Sequence, residues 1–180
     1  MWPAGGHVGH GPEPRAAGWD RERAAPIGRG SVPRVTVQVE VLGKVTDEAV
    51  EAFGRLLPQL SKSAPPLRQE DLDAIVGCPA NTVLIARSAG AITGTLTLVM
   101  FPLPSGLRAW IEDVVVDEAA RGQGIGEVLT REALRLASEA GARTVDLTSR
   151  PSRVAAGRLY ERVGFMIRET RLYRFTFGAD

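Results

Sequence analysis

Cysteine and histidine are almost missing from this sequence of 180 residues. Cys78 is the single cysteine, and the two histidines, His7 and His10, both lie near the start of the chain. One cysteine excludes a disulfide bond within the chain. Two histidines without further ligands nearby disfavour a metal site, so we expect no metal. Cys78 is interpreted as a small apolar residue near a helix end rather than as a nucleophile.

Long apolar runs and an excess of charge of one sign are also missing. The formal net charge is +1, which gives no reason to expect binding to nucleic acid or to an anionic membrane. No apolar run reaches the length of a membrane span, and the first residues lack the apolar segment of a secretory signal. With the single cysteine, these points predict a cytoplasmic protein without nucleic-acid or membrane partners.

The composition changes near residue 33. Residues 1–33 are rich in Gly, Pro, Arg and Ala and have almost no large aliphatic side chains. Such a segment buries too little apolar surface to offset its ordering entropy, so it is predicted to be a disordered tail. Residues 34–180 are predicted to form one domain, which the ordinary apolar and charged fractions support.

The hydrophobic periodicity from Val35 onward predicts the element order β, α, α, β, β, β, α, β, α, β, β. The first helix is expected to end near Leu57, before Pro58, and Ser149 or Ser152 is expected to cap the last helix. A final strand pair is predicted at 165–169 and 171–177. Antiparallel hairpins followed by one parallel crossover give an α+β fold, with a mixed, mostly antiparallel central sheet and helices on both faces.

A strand, a glycine-rich turn and an amphipathic helix form the centre of the chain. The strand ends at Val114–Val116, the turn is Arg121–Gly126, and the helix stops at Gly141. The first N–H groups of a helix lack intrahelical partners and the helix dipole favours anions. Glycines allow close approach to the backbone, and Arg121 adds a persistent positive charge. The pattern predicts a phosphate or pyrophosphate site; the alternative is a plain connection without a ligand.

Two motifs carry a resemblance to a known family. The P-loop pattern and the dinucleotide fingerprint both fail, whereas Arg-x-x-Gly-x-Gly fits Arg121-Gly122-Gln123-Gly124-Ile125-Gly126. Here the sequence resembles the GNAT superfamily of acetyl-CoA-dependent N-acetyltransferases. Leu159-Tyr160-Glu161-Arg162-Val163-Gly164-Phe165 is similar to the Tyr-x-x-x-Gly-Phe end of that family's last helix, and the predicted element order agrees with the GNAT-like fold.

The resemblance implies an acetyl-CoA site. It implies that the backbone of Val114, Val115 and Val116 pairs with the pantetheine arm. It also implies that the pyrophosphate is held by the turn residues, which are Arg121, Gly122, Gln123, Gly124, Ile125 and Gly126. Many members carry an asparagine seven residues before the tyrosine, where this chain has Arg153. Arginine cannot accept a hydrogen bond, so Arg153 either contacts a cofactor phosphate or is a solvated charge.

Two side chains are candidates for the proton transfers of acetyl transfer. The resemblance places Tyr160 at the position of the family's general acid, whose phenol can protonate a departing thiolate; its alternative role is packing. Glu112 is an acid in a strand predicted to be central, where acids rarely lie without a task. It is predicted to be the general base or to bind a cationic substrate, and Asp113 is expected to be structural.

The resulting prediction is an N-acetyltransferase that moves an acetyl group from acetyl-CoA to a primary amine by direct attack in a ternary complex. The acceptor is a small molecule or a protein, and the first two helices with the loop at 58–67 are expected to line its site. A monomer or a homodimer is expected. The alternative is a non-catalytic acyl-CoA-binding sensor or regulatory domain. A toxin acting on charged tRNA is disfavoured by the near-neutral composition.

Overall fold

A five-stranded sheet organises the residues that the computed structural model describes, which are 36–61 and 65–177. The predicted tail at 1–33 lies outside them. The sheet order follows the chain, with antiparallel pairing from β1 to β4 and a parallel pair between β4 and β5. The strands are β1 (Gln38–Val41), β2 (Asn81–Ser88), β3 (Ala91–Leu103), β4 (Gly106–Val116) and β5 (Val145–Leu147). The predicted α+β class with a mixed, mostly antiparallel sheet is confirmed.

The described ranges contain four α-helices and one short 3-10 helix. They are α1 (Asp47–Leu60), α2 (Gln69–Val76), the 3-10 helix (Glu118–Ala120), α3 (Ile125–Glu139) and α4 (Val154–Val163). In 36–61 and 65–177, no helix combines the length and the apolar character that crossing a membrane requires. The helices follow the predicted order, and Gly141 ends the α3 region with a φ of 79°.

Two helix boundaries differ from the prediction. The helix α1 starts after Thr46, whose side chain accepts a hydrogen bond from the Ala49 N–H. It then continues through Pro58 to Leu60, because Leu57 and Leu60 extend the apolar face that packs on the core. The helix α4 has Arg153 at its N-cap and no side-chain cap, so neither predicted serine caps it.

Apolar cores lie on both faces of the sheet. The helices α1 and α2 cover the first core, which contains Ala49, Ala52, Phe53, Leu56, Leu72, Val83, Ile85, Ile92 and Val115. The helix α3 covers the second core, which contains Leu84, Ala86, Leu96, Leu98, Ala109, Ile111, Ile125, Leu129, Ala133 and Ala137. Neighbouring residues of one strand belong to different cores, as the twofold alternation of a strand requires. The end of β4 therefore runs between two packed layers.

The predicted final strand pair is wrong. After α4, Phe165 donates its N–H to the Tyr160 carbonyl at 2.9 Å and packs on the second core. The C-terminal segment (residues 166–177) then forms no strand. It has strand-like alternation, but a pair of strands is at best marginally stable without a sheet or helix to pack on. Its large apolar side chains are exposed: Met166, Ile167, Leu172, Tyr173, Phe175 and Phe177.

Candidate active site

The second half of β4 is open along one side. The strand β5 pairs with β4 only at Ala109–Ile111, which face Val145–Leu147. From Glu112 to Val116, β4 pairs with β3 alone among the described residues. The backbone of Val114, Val115 and Val116 therefore lies beyond the part of β4 that pairs with β5. An open strand side of this kind can accept an extended chain as an additional strand.

A bulge at Asp113 changes which side chains share a face. Asp113 has a φ of 49°, and the register of β3 and β4 shifts between Thr95 and Thr97. As a result Glu112 pairs with Thr97 and Val115 pairs with Thr95. Both therefore lie on the face that α1 and α2 cover, although regular alternation would put them on opposite faces. Glu112 is exposed on this face, beyond the buried Val115.

The glycine-rich turn presents backbone donors at the start of α3. Gly122 and Gly124 both have a φ of 80°, and Gly124 is the N-cap of α3. In 36–61 and 65–177, no protein group accepts a hydrogen bond from the N–H groups of residues 122–126. A Cβ built on Gly122 or Gly124 meets nothing within 4 Å, so space is open beside the turn. Free donors, open space and a helix N-terminus together suit an anion.

Side chains on either side of the turn hold it in place. The Arg121 Nε donates to the Val116 carbonyl at 3.4 Å, and its guanidinium pairs with Glu118 at 3.3 Å. The Gln123 Oε1 accepts a hydrogen bond from the Ser88 hydroxyl at 3.4 Å. Arg121 thus lies across the end of β4 with its side chain 54% exposed, which leaves its charge available to a ligand.

The helix α1 also supports the turn, through contacts that the sequence pattern did not reveal. The Arg55 Nε donates to the Asp117 carboxylate at 2.9 Å, and its Nη2 donates to the Ile92 carbonyl at 2.8 Å. The Gln59 Oε1 accepts from the Glu118 N–H at 2.9 Å. Hydrogen bonding to Arg55 lowers the pKa of the Asp117 carboxyl below its usual value. These bonds join α1 to the 3-10 helix that leads into the turn.

Tyr160 lies on α4, half-buried, with its ring against Phe165 at a centroid distance of 5.8 Å. Burial raises the pKa of its phenol, and the nearby charge of Arg153 partly opposes that rise. No described side chain or carbonyl forms a hydrogen bond with the Tyr160 hydroxyl. The phenol therefore keeps its proton at neutral pH and has that proton available for another partner.

Arg153 connects the start of α4 to the end of α1. Its Nη2 donates to the Leu60 carbonyl at 2.7 Å, and its side chain is exposed. An arginine near the last carbonyls of a helix is favoured by the helix dipole. The predicted cofactor contact of Arg153 thus has a competing structural contact, although a guanidinium has five N–H donors. No hydrogen bond or ion pair among the described residues joins Arg153 to the turn.

The helices α3 and α4 are joined next to the turn. A Cβ built on Gly126 would lie 3.0 Å from the Leu159 Cδ1, so the first turn of α3 packs closely on α4. The Arg162 Nε donates to Glu127 at 3.0 Å, and Arg131 donates to the same carboxylate. Hydrogen bonds from Arg131 and then Arg162 lower the pKa of the Glu127 carboxyl. Tyr160 is thereby carried on a helix that contacts the N-terminal end of α3.

Glu112, the predicted base, is the remaining predicted site residue, and it lies in the second half of β4. Glu112 forms no ion pair or hydrogen bond with another described side chain. Within the described ranges, no group of three or more His, Cys, Asp or Glu side chains is arranged to hold a metal ion. The structure therefore brings the turn, Val114–Val116 and α4 together. Glu112 lies on the face of the sheet that α1 and α2 cover.

Comparison with known proteins identifies the class to which this arrangement belongs. The model of the Acetyltransferase (GNAT) family matches residues 46–165, and the chain belongs to this family. Its activity is therefore of the acetyl-transfer class, with an acyl-CoA as donor, and the predicted membership is confirmed. No curated protein matches the chain in sequence.

Solved structures agree with the fold. A transcriptional regulator from Bacillus halodurans C-125 is 28% identical, with a TM-score of 0.66 over 78% of this chain and 100% of that chain. A Trypanosoma brucei acetyltransferase is 25% identical, with a TM-score of 0.63 over 78% and 100%. The aminoglycoside N-acetyltransferase AAC(6')-Iy, solved with CoA, is 18% identical, with a TM-score of 0.67 over 82% and 99%. At 18% identity, the likeness to AAC(6')-Iy concerns the fold alone.

Proposed function

We propose that the protein is an N-acetyltransferase that moves an acetyl group from acetyl-CoA to a primary amine by direct attack in a ternary complex. The observation that carries this proposal is the glycine-rich turn, whose N–H groups at residues 122–126 have no acceptor among the described residues. The turn follows, after the short 3-10 helix, the strand whose open side can take an extended chain. A diphosphate joined to a long arm is the kind of ligand that matches both features.

The residues present fit the donor. The N–H groups of Gly122 to Gly126 would bind the pyrophosphate, with the charge of Arg121 alongside. The backbone of Val114 to Val116 would pair with the pantetheine arm, as in strand addition. The N–H groups of Arg153 that do not bond Leu60 are available to a phosphate, which keeps the predicted contact as part of the proposal. Acetyl-CoA, when bound, supplies an acetyl group activated as a thioester.

Glu112 and Tyr160 would carry the protons. An amine must be neutral to attack, and an exposed carboxylate can attract the ammonium form and take its proton, directly or through water. Glu112 lies on the α1–α2 face, where an acceptor can reach it from solvent. The Tyr160 phenol, whose pKa is raised by burial, holds a proton that it can donate to the departing thiolate.

The acceptor is proposed to enter on the face covered by α1 and α2. Glu112 is an exposed acid on this face of β4, so this opening favours a cationic group. The acceptor class is therefore an amine of a small molecule or of a protein. The aminoglycoside acceptor of AAC(6')-Iy belongs to that class and is a reasonable first compound to test.

Two measurements on the full chain test the proposal. In a thermal-shift titration with acetyl-CoA, we expect stabilisation that grows with ligand concentration, as linkage requires. We then expect release of free thiol with at least one amine from a panel of aminoglycosides, amino sugars, amino acids and lysine peptides. The lack of any stabilisation at millimolar acetyl-CoA would contradict the donor site. Stabilisation without thiol release across the panel would favour the sensor alternative.

A further inference from the structure

A cavity beside the turn between β3 and β4 is lined by hydroxyl and guanidinium groups. Its volume is about 190 Å³, and its lining residues are Ser105, Arg108, Arg143 and Thr144. A water molecule takes up roughly 30 Å³ in the liquid, so the cavity has room for a group of several heavy atoms. Among the described residues, no carboxylate lines it. Two positive charges that share a cavity without an acid favour an anion as its occupant.

The β3–β4 turn holds Arg143 at this cavity. The Arg143 Nη1 donates a hydrogen bond to the Ser105 carbonyl. A Cβ built on Gly106 would lie 2.6 Å from the Arg143 Cδ, so a glycine here leaves room for the arginine side chain to cross the turn. The other N–H groups of this guanidinium have no partner among the described residues and are available to an anion.

Arg108 has no structural partner that would explain its charge. Its side chain is exposed and forms no ion pair or hydrogen bond with another described residue. Arg87 and Arg135, by contrast, each pair with two carboxylates. A guanidinium offers five N–H donors in a planar fork that matches a phosphate or a carboxylate. Arg108 and Arg143 can therefore bind one oxyanion together.

Arg108 and Glu112 share one face of the sheet. Ala109 and Ile111 pack on the second core. Because side chains alternate along a strand, Arg108, Trp110 and Glu112 lie on the opposite face, which is the α1–α2 face. Four residues of a strand span about 13 Å, with Arg108 and Glu112 exposed at the two ends and Trp110 half-buried between them. The cavity therefore lies at the end of the stretch where the acceptor is proposed to enter.

The charges along this stretch have an order. Asp146 of β5 pairs with Trp110, so it lies on the same face. Among the described residues, its carboxylate accepts a side-chain hydrogen bond from the Thr144 hydroxyl at 3.3 Å. Carboxylates thus occupy the Glu112 end and the middle of the stretch, and guanidiniums occupy the other end. A molecule with an ammonium group at one end and an anion at the other is oriented in one direction by this order.

We propose that the acceptor is a small primary amine that carries a phosphate or a carboxylate at its far end, and that Arg108 and Arg143 bind this anionic group. The inference rests on the proposed transferase function, which takes the amine to lie at Glu112. The linking part of the acceptor then crosses Trp110, and the anion fills the cavity. An amine with a neutral far end leaves both guanidiniums without an anion and is a poorer ligand.

Two matched pairs of linear amines test the proposal by calorimetry on the full chain. One pair is 6-aminohexyl phosphate and 6-aminohexanol, and the other is 6-aminohexanoate and its amide. CoA is present at saturation, so that the glycine-rich turn is not available to the added anions. We expect the anionic member of at least one pair to bind roughly ten-fold tighter than its neutral partner, as charge-assisted hydrogen bonds provide. The pair with the larger difference identifies the preferred anion.

Variants assign this difference to the cavity. Arg108→Gln should remove most of the preference for the anionic member, whereas Arg108→Lys should keep part of it, because lysine retains the charge without the fork. Arg158→Gln, at an exposed position on α4, is the control and should keep all of it. Arg108 has no described partner to lose, so Tm should be unchanged. Equal affinities within both pairs, or a preference that survives in Arg108→Gln, would overturn the proposal.

Thiol release from acetyl-CoA with the same four amines separates this proposal from the proposed function. A binding preference for the anionic members without thiol release would support the anion site and contradict transfer to these amines. Thiol release that is equally fast within each pair, with equal affinities, would support the transferase and overturn the acceptor class.

Discussion

Arg55 on α1 donates a hydrogen bond of 2.9 Å to the carboxylate of Asp117, the residue that follows β4. The same guanidinium donates to the Ile92 carbonyl in β3 at 2.8 Å. Asp117 in turn accepts from the Ala119 N–H and so starts the 3-10 helix. One arginine therefore fixes α1, the sheet and the entrance to the glycine-rich turn relative to one another.

Asp117→Asn is expected to remove the part of the free energy of unfolding that the Asp117 carboxylate contributes and that is lost at acid pH. The folded pKa of Asp117 is lowered, chiefly by its hydrogen bond with Arg55, relative to an unfolded value of about 4. Its contribution is therefore fully present above that value and is lost as pH falls through the folded pKa. Urea unfolding at pH 7 and at progressively lower pH measures the effect.

Arg55→Met is the companion variant, because it keeps much of the packing and removes both donors. Since the Arg55 side chain is 44% exposed, we expect a loss of only about 1 kcal/mol at pH 7. The fall in the free energy of unfolding at low pH should shrink to that of the Asp117→Asn variant. A variant with the full wild-type acid dependence would show that this pair does not carry it.

Gly124→Ala should weaken acetyl-CoA binding because Gly124 has a φ of 80° at the N-cap of α3. A left-handed backbone costs a residue with a Cβ roughly 1–2 kcal/mol, so the turn either loses stability or changes shape. The matched control is Gly54→Ala, an exposed helical position with open space and no positive φ. It should raise stability by up to about 1 kcal/mol. Calorimetry should show weaker acetyl-CoA binding for Gly124→Ala than for Gly54→Ala. Equal affinities of the two variants would show that the turn does not bind the donor.

Tyr160→Phe should lower kcat by roughly a hundred-fold to ten-thousand-fold, the usual contribution of a general acid. Acetyl-CoA affinity should remain near wild type, because the hydroxyl has no hydrogen bond to the described residues that its loss would break. The ring contact with Phe165 is kept in this variant, so thermal stability is the control. Turnover equal to wild type would assign the phenol a packing role.

Glu112→Gln and Asp113→Asn form a matched pair of exposed neighbouring acids in β4. We expect Glu112→Gln to lower kcat/KM for the amine by roughly ten-fold or more and to flatten the pH profile, as loss of a general base does. Asp113→Asn should change it little, because asparagine also tolerates the left-handed conformation that Asp113 adopts. Equal effects of the two variants would indicate attraction of a cation by charge alone.

Arg153→Gln tests whether the arginine acts on the donor or on α4. The variant removes the charge and loses or weakens the bond to the Leu60 carbonyl. If Arg153 contacts a phosphate, the Kd of acetyl-CoA should rise and become less dependent on salt. If it acts by positioning α4, kcat should fall with little change in that Kd. Arg158→Gln, an exposed arginine of the same helix, is the control and should affect neither quantity.

Local patterns predicted the element order through α4 and the glycine-rich turn. Apolar periodicity and turn residues such as Gly124 and Gly141 act within a few positions of the chain, so they can be interpreted without the fold. The bulge at Asp113 could not be predicted in this way, because no glycine marks it. The bond from Arg55 to Asp117 joins residues 62 positions apart, and only the folded chain brings them together.

The final strand pair shows a different limit of sequence patterns. Alternation in residues 171–177 identifies a segment with the capacity to be a strand, but it does not identify the sheet that the strand joins. Pro58 shows the reverse case, since a local helix breaker is overruled by the packing of Leu57 and Leu60 on the first core. In both places tertiary contacts decide the outcome.

The separation of the two apolar cores by the sheet has a consequence for how this chain can evolve. Residues of α1 and α2 pack on one face, and those of α3 pack on the other. Substitutions at distant sites without shared partners have nearly additive effects on stability. A lineage can therefore remodel the α1–α2 side, where an amine is proposed to enter, with little effect on α3 and its turn. The exceptions are Arg55 and Gln59, which link α1 to the segment that leads into the turn and should tolerate less variation than their neighbours on α1.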